Sequence, residues 1–450
     1  MKRPAPHRAS LWVLGGALLV LQVAGLCLQA RQSIQGVVAI ALLEGAAYLA
    51  AVHCVRTLGL ASHALTFILV VAAVLRAMTV IMPPYLSSDM YRYVWDGRVQ
   101  GAGINPYRYV PADEALTTLR DDAIYPNINR SGYARTIYPP AAQMIYFAVT
   151  RLSERVTAMK LAMLAFEAVA IVLLIGLLRR SGSPVDQVLI YAWHPLTVWE
   201  IAGSGHVDAA MVAFLVLALW ARQRRLPVLC GLALAGSTLI KFFPLLLAPA
   251  LYRRWDWKMP TAFALAVLLL YVPYLSVGWN VLGFLPNYWT EERLASGSGF
   301  YLMNLAGWLS GRSDLPSLPY LAAAAVCLAT VALVALFARR PADDGYLGAS
   351  LTLAAVFVLV ATPHYPWYFL WLLPLLCLVP YWPMLLLTSA SFLLYLALAN
   401  RSPSMELLVN SLLYGLFLIA IVIHLGLRRW RRNPPEGPAV ASGAPPARSP

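Results

Sequence analysis

Long apolar runs alternate with short polar segments along almost the whole chain. A run of about 20 apolar residues can cross the hydrocarbon core of a bilayer as an α-helix. Seven runs reach that length, at 11–29, 34–55, 63–83, 157–178, 260–278, 318–338 and 407–427. Five shorter runs are further candidates, at 187–200, 207–221, 347–362, 367–380 and 382–399. The pattern predicts an all-α polytopic integral membrane protein with about 12–14 transmembrane helices, in one domain over residues 1–432.

Composition agrees with this pattern and excludes soluble folds. The chain has 450 residues, of which 60% are hydrophobic and 12% are charged. Soluble domains usually contain about 45–50% apolar and about 25% charged residues, so too little polar surface remains here to cover a water-soluble protein. The five cysteines lie within apolar runs, and neither a CxxC motif nor a nucleotide-binding glycine motif occurs. We therefore expect no cofactor and leave dependence on a divalent metal open.

The formal net charge of +14 is concentrated in alternate loops. If the N-terminus is cytoplasmic, 19 of the 34 basic residues and only five acidic residues fall on the cytoplasmic side. This is the positive-inside pattern of membrane proteins, so no nucleic acid partner is expected. The C-terminus is then cytoplasmic too, and the Pro, Ala, Gly and Ser content of residues 433–450 predicts a disordered tail. The cytoplasmic basic groups include Arg3, Arg56, Arg180, Arg225, Arg254, Arg340 and Arg429.

Residues 227–251 do not fit a single crossing, because basic clusters flank both ends. A single crossing would place Arg340 and the arginine-rich C-terminus outside. We therefore expect a broken-helix hairpin of two short helices that enters from the cytoplasm and returns, with its turn at 239–244. Pro244 would supply the break. Lys241 in this turn would lie in the outer half of the bilayer, where an unpaired ammonium is costly and charged residues are usually functional.

Polar side chains collect on the opposite, extracytoplasmic side. The first outer loop, residues 84–156, holds seven of the 20 acidic residues and nine tyrosines, and a second outer loop spans 279–317. Helical spacing in the first loop puts Asp89, Arg92 and Asp96 on one face of a short helix, and the helix dipole favours an ionised Asp89 in its first turn. An amphipathic interfacial helix with solvated ion pairs explains the same spacing. Two carboxylates seven residues apart would also suit a glycosidase pair, although such spacing is common by chance.

Two further motifs lie at the outer ends of predicted spans. Residues 202–210 contain His206 and Asp208 in a glycine-rich turn, where Asp208 can either cap the next helix or take part in a site. Residues 362–368 contain His364 among aromatic side chains, which are common in the aromatic belt at a membrane boundary.

Together these motifs resemble those of bacterial GT-C glycosyltransferases, in particular the family 87 and polyprenol-phosphate-mannose-dependent mannosyltransferases. The segments that carry the likeness are 89–109, 136–140, 205–209 and 239–244, and it extends over most of residues 60–380. The resemblance implies a GT-C-like bundle with a large first extracytoplasmic loop, a polyprenyl-phosphate sugar donor and transfer with inversion. It also implies a location in the bacterial cytoplasmic membrane.

The resemblance also implies roles for individual residues. Asp89 is implied as the catalytic base, and Asp96 is the second candidate, with a role in orienting Arg92 or the acceptor. A lipid phosphate is already a good leaving group, so the enzyme needs one base for the acceptor hydroxyl and cations against the developing phosphate charge. The residues expected to bind the donor phosphate or the substrate are Lys241, Arg98, His206, Asp208, His364, Tyr138 and Arg92.

The predicted function is transfer of a hexose, implied to be mannose, from a polyprenyl-phosphate sugar to a lipid or glycan acceptor on the extracytoplasmic face of a lipid membrane. A transporter or flippase of lipid-linked sugar is the main alternative. It predicts charges at mid-membrane and two similar halves, whereas this sequence has no internal repeat and its polar residues favour one face. A hydrolase of lipid-linked sugar is a further alternative, which would transfer the sugar to water.

Overall fold

The computed structural model describes residues 6–57, 63–312, 315–337 and 345–432. The basic residues Lys2, Arg3, Arg339 and Arg340 and the tail 433–450, which the charge argument uses, lie outside these ranges. The described residues form helices and contain no strand. In chain order the α-helices are α1 (Pro6–Ala30), α2 (Ile34–Thr57), α3 (Ala64–Val80), α4 (Asp89–Gly101), α5 (Pro140–Leu152), α6 (Val156–Arg180), α7 (Leu189–Ala192), α8 (Asp208–Gln223), α9 (Pro227–Thr238), α10 (Ala248–Leu251), α11 (Lys258–Tyr271), α12 (Leu285–Glu291), α13 (Tyr301–Ser310), α14 (Ser317–Phe337), α15 (Tyr346–Ala361), α16 (Leu372–Leu378), α17 (Trp382–Ala390), α18 (Leu394–Asn400) and α19 (Pro403–Arg432).

Seven helical segments in the described ranges are long and apolar enough to cross a membrane, which confirms an all-α polytopic membrane protein. They are Ser10–Ala30, Ile34–Thr57, Val156–Arg180, Lys258–Glu291, Ser317–Phe337, Trp382–Asn400 and Pro403–Trp430. The pair Thr197–Gly203 and Asp208–Gln223, bent by 119° at its break, would be an eighth. The other apolar helices are shorter. The expected total of about 12–14 spans therefore stays a prediction.

The predicted loop 84–156 is an ordered layer built around α4 and α5. The two helices pack closely, and the rings of Tyr93 and Tyr146 stack at 4.6 Å with an interplanar angle of 7°. Gly97 permits this approach, because a Cβ there would lie 2.5 Å from the carbonyl oxygen of Tyr146. The loop thus has its own packed interior next to the membrane helices.

The segment that follows α8 runs from the end of that helix to its start and then returns to its end. Lys241 Nζ lies 2.6 Å from the carboxylate of Asp208 at the start of α8. Arg222, in the last turn of α8, donates from Nε to the carbonyl of Leu251 at 2.8 Å. The chain therefore reverses between Lys241 and Leu251. The first arm is α9, but the second is the 3₁₀ turn Phe243–Leu247 followed by the four-residue α10 rather than one regular helix, because two prolines interrupt it. Its orientation across the membrane stays a prediction.

An ion pair inside the membrane domain fixes the segment before α8. The guanidinium of Arg76 on α3 meets the carboxylate of Glu167 on α6 at 2.6 Å, and both side chains are buried. The same guanidinium donates to Thr197 Oγ1 and to the carbonyl of Ala192, each at 2.8 Å. A buried ion pair persists when further hydrogen bonds satisfy the charged atoms. This network holds the π-helix Thr197–Gly203 against α3 and α6.

Candidate active site

A cavity of about 680 Å³ lies where the loop layer meets the membrane helices. Four of the nine predicted site residues line it: Asp89, Arg92, Tyr138 and Lys241. Segments far apart in sequence form the rest of the wall, including residues 284–291, 365–368 and 395–401. The structure therefore brings together the Asp89 carboxylate and the Lys241 ammonium, which belong to separate sequence motifs, and surrounds them with several aromatic side chains.

Asp89 is the first residue of α4, and its carboxylate is held by two donors. Asn129 Nδ2 donates to Oδ1 at 2.9 Å, and the hydroxyl of Tyr138 donates to Oδ2 at 3.1 Å. Burial, together with the nearby charge of Asp89, raises the pKa of Tyr138 well above its usual range. The phenol therefore keeps its proton and acts as a donor. Oriented in this way and only partly buried, the carboxylate can accept a proton from a bound hydroxyl group.

Asp96 also belongs to α4, but its side chain is buried and does not line the cavity. It accepts from Arg92 Nε at 2.8 Å and from Gln143 Nε2 at 3.0 Å. Arg92 also donates to the carbonyl of Ala134 at 3.1 Å. Asp96 thus holds Arg92 in the cavity wall and joins α4 to α5, and of these two aspartates Asp89 lines the cavity.

Lys241 lies in the turn after α9, and its side chain lines the cavity. Its Nζ pairs with Asp208 at 2.6 Å and lies 5.1 Å from the ring centre of Tyr368. Asp208 has no exposed surface, whereas 12% of the Lys241 side chain is exposed. The ammonium of Lys241 therefore faces the cavity, whereas the carboxylate of Asp208 is buried behind it.

His206 is enclosed beneath the cavity wall rather than in it. Its ring stacks on Trp367, with ring centres 4.3 Å apart, and Nε2 lies 3.4 Å from the Glu200 carboxylate without the angle of a hydrogen bond. Glu200, on the π-helix, accepts from the hydroxyl of Tyr395 at 2.6 Å. Because Trp367 and Tyr395 line the cavity, His206 supports the wall through other residues.

Arg98 lies outside the cavity and joins parts of the loop layer. Its guanidinium bonds Asp121 and Glu154, each at 2.7 Å, and the carbonyl of Leu119 at 3.0 Å. Partial burial would raise the pKa of Asp121, but Arg98 and two backbone N–H groups outweigh it and lower that pKa to about 2. Arg98 therefore pairs with acidic side chains of the loop and does not line the cavity.

His364 lines a second, apolar cavity of about 440 Å³ beside the first. Its Nδ1 is 3.3 Å from Glu292, and Nε2 is 2.6 Å from the carbonyl of Gly299. Burial opposes a charged imidazole, yet Glu292 and Glu406 outweigh it and raise the pKa of His364. The two cavities share the side chains of Phe243, Tyr288, Tyr365 and Tyr368.

Sequence reasoning missed several residues of the cavity wall. Arg130 forms an ion pair with Glu291, which ties the first loop to α12. The hydroxyl groups of Tyr288 and Tyr368 hydrogen-bond each other at 2.7 Å. Acidic residues in the second outer loop hinted at the first contact, but nothing local in the sequence indicates that Tyr395 belongs to the wall.

Metal ligation has little support in the described ranges. They contain no group of three His, Cys, Asp or Glu side chains arranged to hold a metal ion. The expectation that no cofactor is needed stays a prediction.

Comparison with known families matches residues 12–256, more than half of the chain, to the N-terminal domain of the alpha-(1->6)-mannopyranosyltransferase family. This confirms the resemblance to mannosyltransferases that the motifs indicated. No curated protein and no solved structure matched the chain. The matched segment includes Asp89, Asp208 and Lys241, whereas the wall residues after 256 lie beyond it. The chain belongs to the alpha-(1->6)-mannopyranosyltransferase family and is a membrane-embedded glycosyltransferase.

Proposed function

We propose that the protein transfers mannose from a polyprenyl-phosphate mannose to a lipid or glycan acceptor, with inversion at the anomeric carbon and Asp89 as the general base. The observation that carries this proposal is one cavity that holds the Asp89 carboxylate and the Lys241 ammonium at the edge of the membrane domain. The family description suggests an α-1,6 linkage in the product. The charge pattern favours the extracytoplasmic face for this reaction, and the family resemblance favours a bacterial cytoplasmic membrane.

The second cavity supports a lipid-linked donor. Its wall is almost entirely apolar and includes residues of the apolar helices α14 and α15, and the side chains of Tyr288 and Tyr368 line both this cavity and the catalytic cavity. An isoprenoid chain could pass from the hydrocarbon of the bilayer into that cavity without exposing its apolar surface to water. The phosphate would then lie near Lys241. A nucleotide sugar has no apolar chain that could occupy such a cavity.

The transfer step needs one proton acceptor and a stabilised leaving group. The acceptor oxygen attacks the anomeric carbon and gives its proton to the Asp89 carboxylate. As the new C–O bond forms, the bond from the anomeric carbon to the phosphate oxygen breaks, and its electron pair stays on the departing polyprenyl phosphate. Positive side chains in the cavity stabilise the charge that develops there.

The proposal is tested with the purified full-length protein in liposomes that contain an acceptor glycolipid. Polyprenyl-phosphate mannose labelled in the sugar should yield labelled acceptor and free polyprenyl phosphate, and nucleotide-linked mannose should yield neither. Asp122→Asn provides a matched control for Asp89→Asn, because Asp122 is an exposed acid in the same loop. Labelled donor that crosses the bilayer without a new product would favour the flippase. Free labelled mannose would favour the hydrolase.

A further inference from the structure

The positive side chains of the catalytic cavity are not all neutralised by neighbouring carboxylates. Three of them are already paired, as Arg92–Asp96, Arg130–Glu291 and Lys241–Asp208. Arg401 also lines the cavity and is exposed there. Within the described ranges its guanidinium has no hydrogen bond or ion pair to another residue. Arg135 of the wall also has no carboxylate partner, but its guanidinium donates to the amide oxygen of Asn280 at 2.7 Å. Arg401 is therefore the cation of the wall that has no side-chain partner in the described ranges and is available to an anionic ligand.

The backbone holds Arg401 in a conformation that non-glycine residues rarely adopt. Its φ and ψ angles are 48° and 24°, in the left-handed region, and such outliers cost free energy and cluster at functional sites. Its backbone N–H donates to the carbonyl of Ala397 at 2.8 Å, at the end of α18. Tyr395 and Leu398 of the same helix also line the cavity. The guanidinium is thus attached to a fixed point on the wall.

The helix end does not itself require an arginine. The hydrogen bond that ends α18 comes from the backbone N–H of Arg401, and glycine is the residue that this left-handed position favours. A positive side chain near a helix C-terminus also interacts favourably with the helix dipole. A lysine, or a side chain directed away from the cavity, would have the same interaction with the dipole. Neither role explains a strained arginine whose side chain is open to the cavity.

We propose that Arg401 binds the phosphate of the polyprenyl-phosphate donor and stabilises the charge that develops as that phosphate leaves. This inference rests on the proposed function. A donor in which mannose and polyprenol are both esterified to phosphate carries one negative charge. Cleavage of the bond to the sugar leaves a monoester with a second ionisable oxygen. The Lys241–Asp208 pair is neutral as a unit, so it offers little for that second charge, and Arg401 supplies the additional positive charge.

The test compares three variants of the full-length protein in nanodiscs. Arg401→Gly removes the side chain and suits the left-handed backbone, so it should fold at least as well as the native chain. Arg401→Lys keeps the charge but loses the planar donor pattern. Arg108→Gln is the matched control, because Arg108 is an exposed arginine of the first outer loop and is not among the residues that line the cavity. The probe is a polyprenyl monophosphate without sugar, and tryptophan fluorescence reports its binding.

Arg401→Gly should raise the dissociation constant of the polyprenyl monophosphate about 10- to 100-fold, the usual effect of losing a hydrogen bond to a charged group. Arg401→Lys should recover part of this loss, and Arg108→Gln should change the constant less than about threefold. Equal weakening by Arg108→Gln and Arg401→Gly would overturn the inference. So would a raised KM for the acceptor with unchanged binding of the monophosphate. A native protein that transfers no mannose would refute the proposed function, while the Arg401 inference would still be decided by the binding ratio.

Discussion

Replacement of Lys241 by methionine should destabilise the protein more than replacement of its partner Asp208 by asparagine. The Asp208 carboxylate has no exposed surface, and its Oδ1 already lacks a hydrogen bond within the described ranges. Without Lys241 this carboxylate would be buried and unpaired. Lys241 is different, because 12% of its side chain is exposed and its ammonium faces the cavity. Without Asp208 it can still be hydrated from the cavity.

The burial of each group determines which typical magnitude applies. Removing one partner of a buried ion pair typically costs about 3–5 kcal/mol when the other charge stays buried, and we expect this range for Lys241→Met. For Asp208→Asn we expect about 1–3 kcal/mol, the usual cost of an unsatisfied polar group. The double variant leaves no buried charge, so it should be more stable than Lys241→Met alone, with a coupling free energy of about 0.5–3 kcal/mol.

Thermal unfolding of the four proteins in one detergent measures these differences, and mannose transfer is assayed on the same samples. The double variant should recover stability relative to Lys241→Met without recovering transfer, since the ammonium is still missing. This outcome separates folding from function. A Lys241→Met protein as stable as the native chain, or a double variant less stable than both single variants, would refute the account of the buried pair.

Three further predictions concern packing, pH and topology. Gly97→Ala should lower the unfolding temperature, because its Cβ would lie 2.5 Å from the carbonyl oxygen of Tyr146 and overpacking costs about 1–3 kcal/mol. Gly132→Ala, in open space, is its control, and equal effects of the two would contradict the close packing. The pKa of His364 is raised above 6.5 and that of Glu292 is lowered below 4.5, so their pairing should stabilise the protein fully between those pH values and weaken above pH 6.5. Thermal unfolding curves at pH 5.5 and 8.5, about one unit below and two above the ordinary pKa of histidine, measure this loss of stability. The loss should disappear in His364→Gln. A pH dependence that is unchanged in this variant would contradict the pairing of His364 with Glu292. Cysteines placed at the predicted cytoplasmic positions should resist an impermeant thiol reagent added outside. These positions are Arg56, Arg180, Arg225, Arg254 and Arg340. Labelling at position 254 or 340 alone would contradict the hairpin.

Hydropathy was sufficient to predict the membrane character of the chain. Apolar runs of span length depend only on composition over a window, and the long helices follow them closely. Prolines explain the main differences. The run predicted at 63–83 forms a helix only over Ala64–Val80, since Pro83 and Pro84 cannot continue it. Likewise, the second arm of the expected hairpin is not one regular helix.

Local signals located part of the site, and contacts between distant segments determined the rest. Asp89 could be identified because a helix start, a carboxylate and neighbouring arginines lie within one short motif. The pair between Asp208 and Lys241 joins residues 33 positions apart, and no pattern within either motif indicates it. Arg98 and His364 have the charge expected of phosphate ligands, but nearby carboxylates hold both of them away from the cavity. Sequence alone therefore identified suitable side chains without showing which of them face the cavity.

Turnover of Asp89→Asn is the most direct test of the central claim that this carboxylate is the general base. Asparagine keeps the shape of the side chain and can still bond Tyr138, but it cannot take the acceptor proton. With saturating polyprenyl-phosphate mannose, kcat should fall about 10²- to 10⁴-fold while the donor KM changes little. Asp96→Asn, which disturbs the contacts to Arg92 and Gln143 but leaves the Asp89 carboxylate in place, should lose less activity. Near-native turnover by folded Asp89→Asn, or a larger loss in Asp96→Asn, would contradict the account.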